Sequence, residues 1–237
     1  MKAMKLVFML VMVLVALTGC SEKTTEPTAL TGTVTDVDGK VYDTVKIGNQ
    51  WWMTENLEVT KYRDGTPIPN VTDNETWTSL STGAYCYYDN NSSNGAIYGP
   101  LYNFHAVNDP RGLAPEGWRV ASDEDWKALE LYLGMTQSQA NDVGWRGTEE
   151  GKKLKKNSEL WNTNTGTDDE GFGALPGGFR YNDHRDFDMV EYYARFWTST
   201  PGTSQEGWYR ILYGGYDGIA RYYAERVFGY SVRCIKE

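Results

Sequence analysis

The sequence predicts an α+β fold, because turn-rich β segments at both ends of the chain enclose a helical middle. From Leu30 to about residue 59, runs rich in Val, Thr, Tyr and Trp alternate with the turn pairs Asp38-Gly39 and Gly48-Asn49, which is typical of β-hairpins. Helix signals follow between residues 122 and 156, and from residue 171 the chain returns to short β segments separated by Gly, Ser and Pro. We therefore expect the first and last strands to meet in one domain around central helices.

The N-terminus predicts export and lipid attachment. Lys2 and Lys5 precede an apolar run from Leu6 to Leu17, which is too short to span a bilayer and fits the core of a secretory signal. The following Leu17-Thr18-Gly19-Cys20 resembles a bacterial lipobox, which implies cleavage before Cys20 and a diacylglycerol on its sulfur. We expect a signal peptide over residues 1–19, lipidated Cys20 with a flexible tether over 20–29, and one domain over 30–237. The acyl chains would anchor the protein to a bacterial outer membrane, on its periplasmic or its cell-surface side.

The net charge and the number of cysteines limit the possible partners and the redox state of the protein. The chain carries a formal charge of −9, and removal of residues 1–19, which hold two lysines and no acid, makes it −11. This acidity argues against nucleic acid or anionic lipid as a partner. Export to an oxidising compartment leaves Cys86 and Cys234 as the remaining cysteines, and we expect them to form a disulfide.

The stretch "APEGWRVASDEDW" (114–126) contains three acids between two tryptophans and marks the start of a helix. Ser122 stands at an N-cap position with acids in the first turn, where the helix dipole favours them. Apolar residues then recur at helical spacing up to Leu133, and Gly134 is a C-terminal stop. We expect a helix over about 123–133 and shorter helical pieces within 136–144 and 147–156. In contrast, the polar stretches 70–82 and 90–99 are expected to be loops, while 101–107 fits either a short helix or a strand.

Six strings occur in one order along residues 30–237: "VKIGNQWWMTENL", "YGPLYNFHAVNDPRGLAPEGWRVASDEDW", "GTEEGKKLK", "GFGALPGGFR", "FWTST" and "FGYSVRCIKE". Together they resemble the Fibrobacter succinogenes major paralogous domain family. The resemblance implies a C-type-lectin-like α+β fold with paired terminal strands, on a protein that is exported or surface-bound. The family has no established activity. The related formylglycine-generating oxidases use a closely spaced cysteine pair, whereas Cys86 and Cys234 are far apart in this sequence.

The residues offer little support for an enzyme. His105 lies within an apolar run and is expected to pack in the core, and His184 lies in a polar loop. No Ser/His/Asp order, HExxH, Walker loop or GxSxG motif is present. The enzymatic alternative is an exported enzyme that acts on polysaccharide or another cell-surface polymer through Asp/Glu pairs in the loops 164–170 or 183–188.

A calcium site is a further candidate. The stretch "WNTNTGTDDEG" (161–171) concentrates side-chain oxygens, the ligands that Ca²⁺ prefers. Asn164, Asp168, Asp169 and Glu170 are the candidate ligands. An ordinary Asn/Asp/Gly turn explains the same composition.

Aromatic residues give the best candidate binding site. They form 14% of the chain and are densest in the late β segments, where rings could stack on sugar faces. The candidate ligand-binding residues are Trp208, Arg210, Tyr213, Tyr216, Arg221 and Tyr222. The function predicted from the sequence is therefore a lipid-anchored binding or adhesion module for a glycan or a surface protein, and the third alternative is a structural envelope protein.

Overall fold

The computed structural model describes residues 29–163, 166–183 and 185–237, and it has the predicted α+β architecture. The strands in this part of the chain are β1 (Thr31–Thr35), β2 (Val41–Ile47), β3 (Gln50–Met53), β4 (Tyr85–Cys86), β5 (Leu101–Tyr102), β6 (Trp118–Val120), β7 (Gly144–Arg146), β8 (Gly177–Arg180), β9 (Phe187–Val190), β10 (Tyr193–Pro201), β11 (Glu206–Tyr213), β12 (Tyr216–Glu225), β13 (Ser231–Val232) and β14 (Cys234–Lys236). The α-helices are α1 (Asn74–Thr78), α2 (Ser92–Tyr98), α3 (Phe104–Val107), α4 (Asp123–Leu133), α5 (Gln137–Asn141) and α6 (Glu150–Leu154), and a 3-10 turn covers Tyr88–Asn90.

Two main sheets organise these elements. The first has the strand order β1-β2-β3-β14-β6, so the C-terminal strand lies between an N-terminal strand and β6. Ile235 of β14 is opposite both Trp52 and Arg119. The second sheet has the order β7-β12-β11-β10-β8-β9, with β13 also paired to β10. The expected meeting of the terminal strands is thus confirmed.

Helix α4 begins and ends as its sequence predicts. The Ser122 side chain accepts from the Asp125 backbone amide, while the Asp125 carboxylate accepts from the Ser122 amide, which forms a capping box. Trp126 and Leu129 are fully buried beneath the helix. In this core cluster the rings of Trp52 and Trp126 meet edge to face at 5.3 Å, and Phe172 packs against both. The shorter helices α5 and α6 also fall within their predicted ranges.

Two stretches expected to be loops contain helices. Helix α1 is capped by the side chain of Asp73, and helix α2 by that of Asn91. Inside α2, Gly95 packs so closely on the ring of Tyr87 that a Cβ atom would lie 2.3 Å from it. The close approach of this ring requires glycine at position 95, and the helix begins at the Asn91 cap. The ambiguous stretch 101–107 contains both elements, β5 and then α3.

Buried arginines fasten loops to the sheets. Arg233, which is fully buried, donates to the carbonyl of Met53 at 2.9 Å, to the carbonyl of Phe172 and to the side-chain oxygen of Asn56 at 3.0 Å. Burial lowers the pKa of Arg233 to about 9, so the guanidinium remains protonated at neutral pH. Arg180 is equally buried and donates to the carbonyls of Val71 and Thr72. These contacts fix loops that have few apolar side chains of their own.

The predicted disulfide is not formed. Cys86 and Cys234 are free, fully buried thiols that belong to different hydrophobic clusters. Cys86 packs with Trp77, Ala84 and Leu101, whereas Cys234 lies in the large central core. Each sulfur therefore packs as a small apolar side chain, and the expectation from compartment and cysteine count is corrected.

The predicted signal peptide and Cys20 lie outside the described residues. Within the described residues, no helix has the length and apolar character needed to cross a membrane.

Candidate functional site: the aromatic face of the second sheet

The two faces of the second sheet have different surroundings. On one face, Ala194, Phe196, Leu212 and Ile219 pack with residues of α4 and α6 in a single buried cluster. Since side chains alternate along a strand, Arg195, Tyr209, Ile211 and Tyr222 point to the opposite face. We call the two faces the helix-covered face and the aromatic face.

The six predicted ligand-binding residues divide between these faces. Trp208, Arg210 and Arg221 are on the helix-covered face, because they alternate with Tyr209 and Tyr222 and are paired across β11 and β12. Tyr213, Tyr216 and Tyr222 remain on the aromatic face. Three of the six predicted residues therefore lie on the face that the helices cover.

Arg210 and Arg221 are buried in an ionic network with helix α4, not at the surface. Arg210 is fully buried and donates to the Asp123 carboxylate at 2.7 Å and to the Glu130 carboxylate at 2.6 Å. Arg221 donates to both oxygens of Asp123 at 2.8 Å, and Arg146 of β7 binds both oxygens of Glu130 at 2.8 Å. The network joins the helix to three strands of the sheet.

The same network controls the ionisation of Asp123 and the packing of Trp208. Burial alone would raise the pKa of Asp123, but the hydrogen bonds and charges of Arg221 and Arg210 outweigh it and hold that pKa well below its usual value. The ring of Trp208 lies 3.7 Å from the Arg221 guanidinium and meets Tyr223 edge to face. Trp208 therefore packs on the guanidinium of Arg221 and helps to hold it in the network.

The aromatic face presents a group of partly exposed rings. We define the aromatic surface as Trp145, Tyr193, Arg195, Tyr213, Tyr216 and Tyr222. Within it, Trp145 lies 5.1 Å from Tyr216 and 6.2 Å from Tyr213, which in turn lies 4.9 Å from Tyr193. Trp145 and Tyr216 are each 40% exposed. Large rings with this exposure in one group mark a candidate interaction site.

The strand register aligns this surface in rows. Arg195 is opposite Ile211, Ile211 is opposite Ala220, and Ala220 is opposite Trp145. Because neighbouring strands lie about 4.8 Å apart, Arg195 and Trp145 are about 14 Å apart. Ile211 and Ala220 between them are buried in the central core, so only the two ends of this row are exposed. Tyr193, Tyr213 and Tyr216 form a second row beside it. The surface is thus built on paired strands, which hold its rings at fixed spacing.

A buried lysine supports the turn that carries two of these rings. The Lys155 ammonium, which is fully buried, donates to the carbonyl of Tyr213 at 3.0 Å and to that of Tyr216 at 3.2 Å. It also lies 3.6 Å from the Asp217 carboxylate. Burial lowers the pKa of Lys155, although Asp217 opposes that shift. The β11–β12 turn is therefore fixed from inside the protein, and the Tyr216 hydroxyl donates to the carbonyl of Gly147 at 3.1 Å.

Sequence reasoning missed Trp145, Tyr193 and Arg195. Trp145 lies in β7, which precedes the late β segments in the chain and joins them only as the edge partner of β12. Tyr193 and Arg195 lie in β10, inside the segment that was recognised. Side chains of a strand point alternately to its two faces. Applied to β10, β11 and β12 in turn, this alternation could have placed Tyr193 and Arg195 on the same face as Tyr213.

Of the candidate calcium ligands, Asp168, Asp169 and Glu170 lie in the described part of the chain and do not form a metal-binding group there. Asn164 lies outside the described residues. Asp168 accepts from the Gly173 amide at 2.8 Å, and burial raises the pKa of its carboxyl group although that amide opposes the shift. Asp169 and Glu170 line an open groove of about 570 Å³ beside β1 and β2. Among residues 29–163, 166–183 and 185–237, no group of three or more His, Cys, Asp or Glu side chains is placed to hold a metal ion.

The candidate catalytic acids near residue 185 serve the local structure. Asp183 binds Arg185 at 2.7 Å, Asp186 accepts from the Asn74 side chain, and Asp188 accepts from the Tyr181 hydroxyl at 3.0 Å. His184 lies outside the described residues. His105 is half-buried at the edge of a pocket instead of being enclosed in the core, and burial together with Arg226 lowers its pKa.

Comparison with known proteins assigns the family. The model of the Fibrobacter succinogenes major domain matches residues 45–236, which is most of the chain. The chain therefore belongs to this family, as the six sequence strings predict. Neither the search of curated proteins nor the search of solved structures gave a significant match.

Proposed function

We propose that this chain is an exported, lipid-anchored binding module of the bacterial cell envelope, and that its aromatic surface binds carbohydrate. The observation that carries the proposal is the group of partly exposed rings on one sheet face, with Trp145 and Tyr216 at its exposed edge. The C–H faces of a pyranose are apolar and match the flat faces of such rings. The rings of Tyr193, Tyr213 and Trp145 follow one another at 4.9 and 6.2 Å and offer contacts to more than one sugar unit. A lipid anchor on Cys20 would keep the surface at the membrane.

We extend the proposal to a C-type-lectin-like fold. The support is the pairing of the C-terminal strand β14 with the N-terminal strand β3 in one sheet, together with short helices between the sheets. An experimentally determined structure superposed on C-type-lectin-like domains would test it. A different strand order around β14 would overturn this extension without affecting the binding proposal.

The binding proposal is tested by glycan-array screening of the purified protein, followed by calorimetry with the best ligand. Trp145→Ala and Tyr216→Ala should each weaken binding about tenfold, because a well-placed aromatic contact contributes on the order of 1–2 kcal/mol. The control is Tyr223→Ala, since Tyr223 is 50% exposed but lies on the helix-covered face. Its removal should leave the affinity unchanged.

Absence of any glycan binding by the folded wild-type protein would overturn the proposal. So would equal losses in Tyr223→Ala and Trp145→Ala, because the aromatic surface would then have no special role.

A further inference from the structure

Arg195 is held in an unusual position at one end of the aromatic surface. Its guanidinium carbon lies 3.6 Å from the ring centre of Phe179, with Tyr193, Tyr230 and Tyr209 at 5.4, 5.5 and 5.9 Å. The side chain is half-buried. Four rings therefore fix the orientation of a cation that remains partly open to solvent.

The hydrogen-bonding capacity of Arg195 is largely unused. A guanidinium has five N–H donors, and the bond that the structure shows runs from Nη1 to the Tyr230 hydroxyl at 3.3 Å. The Nε atom is buried without a partner. Among the described residues, no carboxylate lies within 4.0 Å of this guanidinium.

The other arginines show how exceptional this is. All eleven arginines of the chain lie in its described part. Six of them pair with a carboxylate: Arg111, Arg119, Arg146, Arg185, Arg210 and Arg221. Four others donate to backbone carbonyls: Arg63, Arg180, Arg226 and Arg233. Arg195 does neither, although acids outnumber bases in the chain by 32 to 23.

We infer that Arg195 binds the carboxylate of an acidic saccharide, so that the ligand of the aromatic surface is a uronate-containing glycan. This inference rests on the proposed carbohydrate-binding function and specifies its ligand class. A planar guanidinium stacked on a ring presents its edge to a carboxylate and can donate two parallel hydrogen bonds. Neighbouring sugar units would then stack on the partly exposed rings of Tyr193 and Tyr213 toward Trp145, which lies about 14 Å away by the strand spacing. An acidic protein repels polyanions in general, so an unpaired cation beside stacking rings supplies the local attraction that such a ligand requires.

The test compares matched ligands that differ only in charge. Binding of the full chain to polygalacturonate and to alginate is measured by calorimetry, next to the same polymers with their carboxyl groups methyl-esterified and next to neutral glucans and xylans. We expect the acidic polymers to bind, esterification to weaken binding about tenfold or more, and rising salt to weaken it further. Arg195→Gln should reproduce the loss on the acidic polymers and remove the difference between acid and ester.

The matched control is Arg111→Gln. Arg111 also stacks on a tyrosine ring, at 3.9 Å from Tyr62, but its guanidinium is already paired with Asp109 at 2.7 Å. This variant should bind like the wild type. Circular dichroism and thermal unfolding establish that both variants are folded, and Arg195→Lys, which keeps the charge without the planar fork, should retain part of the affinity.

Each outcome decides between the two proposals. Equal binding of acid and ester, preference for neutral or sulfated glycans, or unchanged affinity in Arg195→Gln would overturn the uronate inference and leave the carbohydrate-binding proposal standing. Failure to bind any glycan would overturn both.

Discussion

At the scale of single residues, burial decides what the polar and sulfur-containing side chains do. Cys86 and Cys234 are both 0% exposed, and each sits among apolar neighbours. Burial raises the pKa of Cys86 to about 12, and it also raises the pKa of Cys234. Since the thiolate is the reactive form, both thiols should be inert in the folded protein.

This inertness can be measured by alkylation and peptide mapping without reductant. In native buffer, iodoacetamide should leave Cys86 and Cys234 unlabelled. In denaturant, both should be alkylated, because the structure holds two free thiols. A linked Cys86–Cys234 peptide would contradict this expectation and restore the disulfide that compartment and cysteine count predict.

At the scale of elements, helix α4 is joined to the second sheet by charge as well as by apolar packing. Asp123 and Glu130 lie two turns apart on the buried side of the helix, and they receive Arg210, Arg221 and Arg146 from three different strands. When one charged partner is removed from a buried network, the opposite charges that remain are buried without a counter-charge, which destabilises the fold. The orientation of α4 on the sheet therefore depends on these few side chains.

Asp123→Asn should lower the free energy of unfolding at pH 7 by about 3–5 kcal/mol, because two buried arginines lose their carboxylate. The folded-state pKa of Asp123 lies below its usual value, so its contribution is fully present above about pH 4 and is lost as the pH falls through the folded-state value. The wild type should therefore lose stability steeply below about pH 4, and Asp123→Asn should lose less over the same range. Urea unfolding at several pH values measures both effects.

Glu124→Gln is the control for this helix. Glu124 stands in the same first turn, but its side chain is 79% exposed. The change should alter stability by less than about 0.5 kcal/mol. An equally large loss in this variant would mean that the helix dipole, and not the buried network, carries the effect.

At the scale of the whole molecule, the first described strand and the aromatic surface belong to different sheets. The described chain enters through β1, the outer strand of the first sheet, whereas the aromatic surface lies on the second. The two sheets share the central core, in which Trp197 and Val232 of the second sheet join Tyr42 and Met53 of the first. A lipid on Cys20 would therefore attach the chain to the membrane next to the first sheet and would not cover the aromatic rings on the second.

The proposed lipid anchor predicts a simple fractionation result. Expressed in a bacterium that processes lipoproteins, the wild type should incorporate radiolabelled palmitate and partition with the membrane in detergent-phase separation. Cys20→Ala should lose the label and remain in the aqueous phase, because it lacks the sulfur that carries the acyl chains. Membrane partition of Cys20→Ala equal to that of the wild type would contradict lipid anchoring at this residue.

The sequence by itself determined the features that depend on neighbours along the chain. The bounds of α4 follow from Ser122, the apolar repeat and Gly134, and the α+β order follows from turn signals and periodicity. The family also follows from the sequence, because its strings occur in one order over residues that the family model matches.

Only the tertiary structure decided which side chains share a face and which are enclosed. It buried Arg210 and Arg221 against Asp123, kept Tyr213, Tyr216 and Tyr222 on the opposite face, and brought Trp145 and Arg195 to them through the strand register. It also separated Cys86 from Cys234 by placing them in different hydrophobic clusters. These outcomes depend on contacts between residues far apart in the chain, whose pairing local propensity and composition do not specify.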